Sequence, residues 1–162
     1  MLTFEKTHYL FRYHNGDLYW KISPSKNVKT GSFAGSNTGY GKQPYKVVMI
    51  NGKHIRKHKI IFLMHYGYLP THIDHIDGNK LNNKIENLRA ATASQNRMNS
   101  SVSSRNQVGI KGVSKGKKIG TWTSQICVNK KRTHLGTFKT QEEAAIAYQK
   151  AAQEFFGEFA RK

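Results

Sequence analysis

Residues 100–107, Ser-Ser-Val-Ser-Ser-Arg-Asn-Gln, offer almost nothing with which to fill a core, and this is linker composition. Whatever folds must therefore fold on either side of it, with 162 residues to share. Only 37 % of these are hydrophobic, which suits two small cores better than one large one. The sequence thus predicts an α+β protein with one domain over 1–99, a linker over 100–107 and a second domain over 108–162.

Charge narrows the partner. Against 9 acidic residues stand 27 Lys and Arg, giving a formal charge of +18, and a folded chain this basic concentrates anions around itself. Residues 1–70 hold 11 basic and 2 acidic residues, 71–104 hold 4 and 3, and 105–162 hold 12 and 4. A nearly neutral middle between two basic arms is what a segment using its own carboxylates would look like between phosphate-gripping surfaces. Charge by itself does not separate DNA from RNA, ribosome or anionic membrane. Cys127 is the only cysteine, which excludes an internal disulfide or a cysteine-built zinc site and makes a reducing, cytoplasmic setting the default. The opening MLTFEKTHYLF lacks the pattern of an export signal, and no apolar run is long enough for a membrane span.

Tight turns punctuate the first half. Tyr9–Tyr13 and Leu18–Lys21 flank His14-Asn15-Gly16-Asp17, and Tyr45–Ile50 and Lys53–Lys57 flank Asn51-Gly52, so two hairpins are expected. Thr30–Gly41 reads as loop, and His58–Tyr66 as a short apolar helix ended by Gly67. Thr92–Gln95 spells a capping box that starts a helix bearing Asn96. Beyond the linker, Val108–Ser114, Thr121–Val128 and Arg132–Phe138 predict a three-stranded antiparallel sheet. Thr140–Glu143 caps an amphipathic helix that Gly157 ends.

Chemistry concentrates in Ile73-Asp74-His75-Ile76-Asp77-Gly78-Asn79. A carboxylate beside an imidazole on a strand points the two groups to opposite faces, so Asp74 can hold a cation while His75 deprotonates water. Asp77 and Asn79 serve the turn, Asn82 and Asn83 act as loop caps or DNA contacts, and His72 is a rival ligand. His58 reads as a helix-start or packing residue, outside the site.

The ordered pattern D-H-x-D-G-N-x-x-x-N-x-x-x-N-L-R followed by Asn96 closely resembles the HNH endonucleases, in the variant that ends in Asn. That resemblance implies a ββα-metal nuclease domain that holds one ion, with His75 as general base and Asp74 and Asn96 as metal ligands, and a carboxylate with an amide oxygen makes a hard site that favours Mg²⁺ or Mn²⁺ over zinc. Asn87 would tie the intervening loop so that the base is aimed. It implies hydrolysis of duplex DNA to 5′-phosphate and 3′-hydroxyl ends, as in homing endonucleases of phages and mobile introns, in a bacterial or phage-infected cell.

The second domain resembles the APETALA-type (ethylene-response-factor) DNA-binding domain through Gly109-Ile110-Lys111-Gly112-Val113, Trp122–Ile126, His134-Leu135-Gly136-Thr137-Phe138 and Glu142–Tyr148. The resemblance implies a three-stranded sheet on one helix, with Lys111, Lys115, Lys117, Trp122, Gln125, Arg132 and His134 facing DNA. Ser114, Cys127 and His134 depart from the arginine and tryptophan base contacts of the plant domains, so plant target sequences do not carry over. The chain is expected to act as a monomer without an obligate protein partner. The competing reading is a non-catalytic DNA-binding regulator, with an RNA or ribosome binder as a third.

Overall fold

The computed structural model describes residues 2–37 and 45–161. The chain forms two compact units, 1–92 and 93–162. The seam lies at Thr92/Ala93, ahead of the expected linker, because the helix bearing Asn96 belongs to the second unit.

The first unit opens with a helix that takes in Tyr9 and Leu10, the start of the expected strand Tyr9–Tyr13. Helix α1 runs Phe4–Leu10, and Thr3 caps it by accepting the Lys6 amide at 3.3 Å. Its buried face, Thr7 and Leu10, packs toward helix α2, Lys57–Tyr66, and the His8 ring nitrogen lies 2.9 Å from the Met64 carbonyl. Tertiary packing thus overrides the strand tendency of the aromatic residues there. Strands β1, Phe11–His14, and β2, Asp17–Trp20, form the first hairpin. Asn15 and Gly16 both have positive φ, 47° and 85°, as the tight turn that matches strand twist requires.

The expected loop contributes a short strand β3, Ser36–Asn37, to a sheet with β4, Lys46–Ile50, and β5, Lys53–Arg56. The remainder of that loop, 38–41, lies outside the described residues. Asn51 and Gly52, at φ 49° and 73°, turn β4 into β5. Helix α2 comes directly after and is ended by Gly67 in the left-handed conformation. Ile60, Ile61, Phe62, Leu63 and Met64 are all buried, so the middle of this helix is enclosed by the core, with Phe11, Leu18, Trp20, Val48 and Leu88 in the same cluster. Strands β6, His72–His75, and β7, Leu88–Ala91, close the unit as a second antiparallel pair.

Lys57 is fully buried at the start of α2. Its ammonium donates to Asp17 Oδ1 at 3.0 Å and lies 3.8 Å from the Phe33 ring centroid, while Lys46 reaches the same carboxylate oxygen at 3.1 Å. Burial pushes the Lys57 pKa down against the pull of Asp17.

The second unit holds helix α3, Ala93–Met98, strands β8, Val113–Lys115, β9, Trp122–Val128, and β10, Lys131–Phe138, and helix α4, Gln141–Phe156. The order is β10-β9-β8, antiparallel throughout, with α4 packed on β9. The first strand is shorter than expected because 108–112 turn on Gly109 and Gly112, both at positive φ. A Cβ on Gly112 would lie 2.0 Å from the Tyr148 ring, so only glycine lets α4 approach here. Thr140 and Glu143 form the expected reciprocal cap on α4. Lys162, the last residue of the expected second domain, lies outside the described residues.

Two pairs of substitutions test this packing. A Cβ on Gly16 would stand 2.8 Å from the Lys84 backbone nitrogen, whereas one on Gly52 would meet nothing within 4 Å. Gly52→Ala should cost about 1–2 kcal/mol for its backbone strain alone and Gly16→Ala roughly 1–3 kcal/mol more, read as denaturant midpoints. Asp17→Asn should cost about 2–3 kcal/mol by leaving the Lys57 charge buried with less compensation, while Lys57→Met should cost less, in the same measurement.

Candidate active site

The site grows from the β6–β7 pair. Register sets Asp74 opposite Arg89 and His75 opposite Leu88. Cross-strand partners share a face, and Arg89 donates to Asp74 Oδ2 from Nε at 2.9 Å, with Nη2 at 2.8 Å. Asp74 and His75 are both buried, at 4 % and 5 % exposure, although they lie on opposite faces.

After His75 the chain turns at once, with the Gly78 amide donating to the His75 carbonyl at 2.8 Å and Gly78 at φ 72°. Asn87 secures the loop from Asp77 to Asn82. Its Nδ2 donates to Asp77 Oδ1 at 2.9 Å and to the Asn82 carbonyl at 2.8 Å, and its Oδ1 accepts the Asp77 amide at 3.0 Å. Its own carbonyl accepts the Ile76 amide at 2.9 Å. Asp77 also accepts the Asn79 amide at 2.8 Å and Asn82 Nδ2 at 2.7 Å. Burial opposes ionisation of Asp77, but these donors outweigh it and hold the carboxyl below its ordinary range.

Asn83, which the sequence offers as a loop cap or DNA contact, is neither. It is 2 % exposed, and its Oδ1 lies 3.0 Å from His75 Nε2. His58, which the sequence places outside the site, stands edge-on to His75, the ring centroids 5.1 Å apart and the planes at 90°. The His58 ring lies 5.6 Å from Tyr45, over which Arg56 and Lys80 are placed at 4.4 Å and 5.2 Å. A ladder of rings thus links the imidazole of His75 to two cations. The motif's spacing includes Asn83 but does not show its bond to His75, and nothing in it marks Tyr45 or Lys80. Arg89 could have been found, since a hairpin drawn from Asp74 to Arg89 pairs them.

Burial, then the charges of His75, Arg56 and Lys59, push the His58 pKa down to about 3. His75 is also lowered, because its burial outweighs the support of Asn83, Asp77 and Asp74. Both rings are neutral at pH 7, as a general base must be before it acts.

Asn96 lies on α3, in the second unit. His72, the rival ligand, is half-buried, and its Nδ1 finds no hydrogen-bond partner among the described residues. No group of three or more His, Cys, Asp or Glu residues is placed to hold a metal among the described residues.

In the second unit the expected DNA contacts separate. Gln125 pairs with His134, and Arg132 with Cys127, on the sheet face away from buried Ser124 and Ile126, which lie toward α4. Trp122, half-buried, registers with Phe138 and Lys115 on the α4 side and is not on the outer face. Lys117 is exposed in the turn after β8. Lys111 points inward, its ammonium donating to the carbonyls of Met98 at 2.6 Å, Ser100 at 2.8 Å and Arg97 at 3.2 Å. It closes the C-terminal end of α3, and burial with nearby Arg161 brings its pKa to about 8.

An acid titration should expose the buried histidines. The unfolded chain protonates His58 below about pH 6.5, whereas the folded one resists to about 3, so stability falls as pH drops through that window. The slope should approach about 1.4 kcal/mol per pH unit for each such histidine, and His58→Phe should flatten it, measured as urea midpoints between pH 7 and 5.

Residues 56–98 match the HNH endonuclease family and residues 108–158 match the AP2 domain. The "Uncharacterized HNH endonuclease L560" of Acanthamoeba polyphaga mimivirus is 38 % identical over 123 residues, which cover 74 % of this chain and 63 % of that protein. This chain therefore spans a little under two thirds of that relative's length. "Protein 3.8" of Escherichia phage T7 is 32 % identical over 108 residues, 65 % of this chain and 88 % of its own length. The match over 56–98 contains every residue from Arg56 through His75, Asn83 and Asn87 to Asn96. The chain thus carries a segment, 56–98, that matches the HNH endonuclease family, followed by a match to the AP2 domain over 108–158.

Proposed function

We propose that the protein is a divalent-metal-dependent endonuclease of duplex DNA in which His75 is the general base, and that it acts as a homing endonuclease. The observation that carries this reading is the buried, neutral His75 next to Asp74, on a strand whose succeeding loop is knitted together by Asn87. A neutral imidazole held at fixed orientation is suited to take a proton from water as the oxygen attacks phosphorus. Arg56 and Lys80, reached through Tyr45 and His58, supply positive charge on that side of the site for the phosphate backbone.

The donors suit a hard cation. Asp74 offers a carboxylate and Asn96, in the second ligand's place in the motif, an amide oxygen, a chemistry that fits Mg²⁺ or Mn²⁺ with water and substrate phosphate completing the shell. When bound, the ion would stabilise charge on the scissile phosphate and on the leaving 3′ oxygen. Arg89 holds Asp74 Oδ2, so the carboxylate is kept oriented by the protein itself. The products would be 5′-phosphate and 3′-hydroxyl ends.

The AP2 domain would supply affinity and register on duplex DNA. Gln125, Arg132 and His134, together on the outer sheet face, are the residues we assign to base or phosphate contact, with Lys115 and Lys117 at the β8 end.

Cleavage of supercoiled plasmid and phage DNA tests the reading. Wild type should nick or cut with Mg²⁺ or Mn²⁺ and not with EDTA, and His75→Ala should lower the rate about 10²–10⁴-fold. Asp74→Asn and Asn96→Ala should raise the cation concentration needed for half-maximal rate. Binding to DNA without cleavage across several metals would instead identify a non-catalytic regulator.

A further inference from the structure

Asn83 is placed where it determines which nitrogen of His75 works. Its side chain is 2 % exposed, and Oδ1 faces His75 Nε2 at 3.0 Å, while Nδ2 is buried with no hydrogen-bond partner among the described residues. A carboxamide oxygen only accepts, so the ring nitrogen it faces must carry the proton. In a neutral imidazole the proton-accepting lone pair is then on Nδ1.

The amide is held from several directions. Its neighbour Lys84 abuts Gly16 at the β1–β2 turn, where a Cβ would lie 2.8 Å from the Lys84 nitrogen and 3.1 Å from the Asn83 carbonyl carbon. Ile85 N donates to Tyr13 Oη at 3.0 Å, and the Asn82 carbonyl is taken by Asn87. The His58 ring, edge-on to His75, walls another side of the imidazole. The N-terminal hairpin, for which the sequence suggests no role, thereby buttresses the segment that carries Asn83.

We infer that Asn83 is a positioning residue of this nuclease: its buried carboxamide oxygen holds His75 as the Nε2–H tautomer and makes Nδ1 the atom that accepts the proton of the attacking water. This deepens the nuclease reading and rests on it. In the step, water gives one proton to Nδ1, its oxygen bonds to phosphorus, the bond from phosphorus to the 3′ oxygen breaks, and that oxygen takes a proton from solvent.

The test reads the tautomer directly. Long-range ¹H–¹⁵N spectra of the full chain labelled at histidine, with the His75 signals identified by their loss in His75→Gln, should show Nε2 protonated and Nδ1 unprotonated. Asn83→Leu removes the acceptor at similar volume; it should let the Nδ1–H form appear and lower kcat about 10- to 100-fold with KM little changed. Asn83→Asp keeps an accepting oxygen and should keep the Nε2–H form, and it decides the matter together with wild type if Asn83→Leu does not fold. An Nδ1–H ring in wild type, which would mean the amide donates to Nε2, overturns the proposal, as does a tautomer that Asn83→Leu leaves unchanged. The expected spectra in a chain that cleaves no DNA with any metal would overturn the nuclease reading and the catalytic role built on it, while leaving the tautomer assignment in place.

Discussion

The arrangement of the first unit's site depends on one side chain, Asn87. Its carboxamide uses both ends, donating twice and accepting once, to bind Asp77 and the Asn82 carbonyl into one body. Each bond alone contributes only about 1 kcal/mol to stability. Their geometric effect is larger, because they fix the path from His75 round the turn to Asn83, and Asn83 then returns to the imidazole. Without that closure the loop would have two ends and no defined interior, and the Asn83 oxygen would have no reason to meet His75 rather than water.

A second layer of constraint comes from outside the motif. The first hairpin presses Gly16 against the Asn83–Lys84 backbone, and α2 brings His58 against His75. Both elements are anchored in the same core, through Phe11 and Leu18 on one side and Ile60 and Ile61 on the other. The core positions the site through rigid contacts, which is why residues far from the motif in sequence bear on its chemistry.

Whether a feature is legible in the sequence depends on the kind of rule it obeys. Asn15-Gly16 and Asn51-Gly52 announce their turns because few other residues adopt positive φ cheaply, and the Thr140–Glu143 cap is readable because both partners lie within one helical turn. The HNH motif is readable as a spaced pattern. Helix α1 is not, because its aromatic residues favour strands locally and only its packing near α2 decides the matter. Trp122 lies on the face opposite to the one expected, because period-two alternation says which residues share a face but not which face the helix covers. Lys111 passes for a phosphate contact because a lysine's charge is visible in sequence and the carbonyls that capture it are not. Asn83 is visible in the motif, but its bond to His75 is hidden for a related reason: the loop that brings them together takes its shape only in the folded chain.

On the proposed reading, the pairing of Arg89 with Asp74 bears on how a metal-dependent enzyme comes into being. Structural zinc modules assemble only around their ion, since clustered like charges or bare ligands have nothing else to balance them. Here the carboxylate already has a counter-ion built into the neighbouring strand. Folding and cation loading would then be separate events, and the polypeptide could fold in a cell whose free divalent ions fluctuate. On the proposed reading, the metal becomes a reagent acquired with the substrate instead of a part of the scaffold.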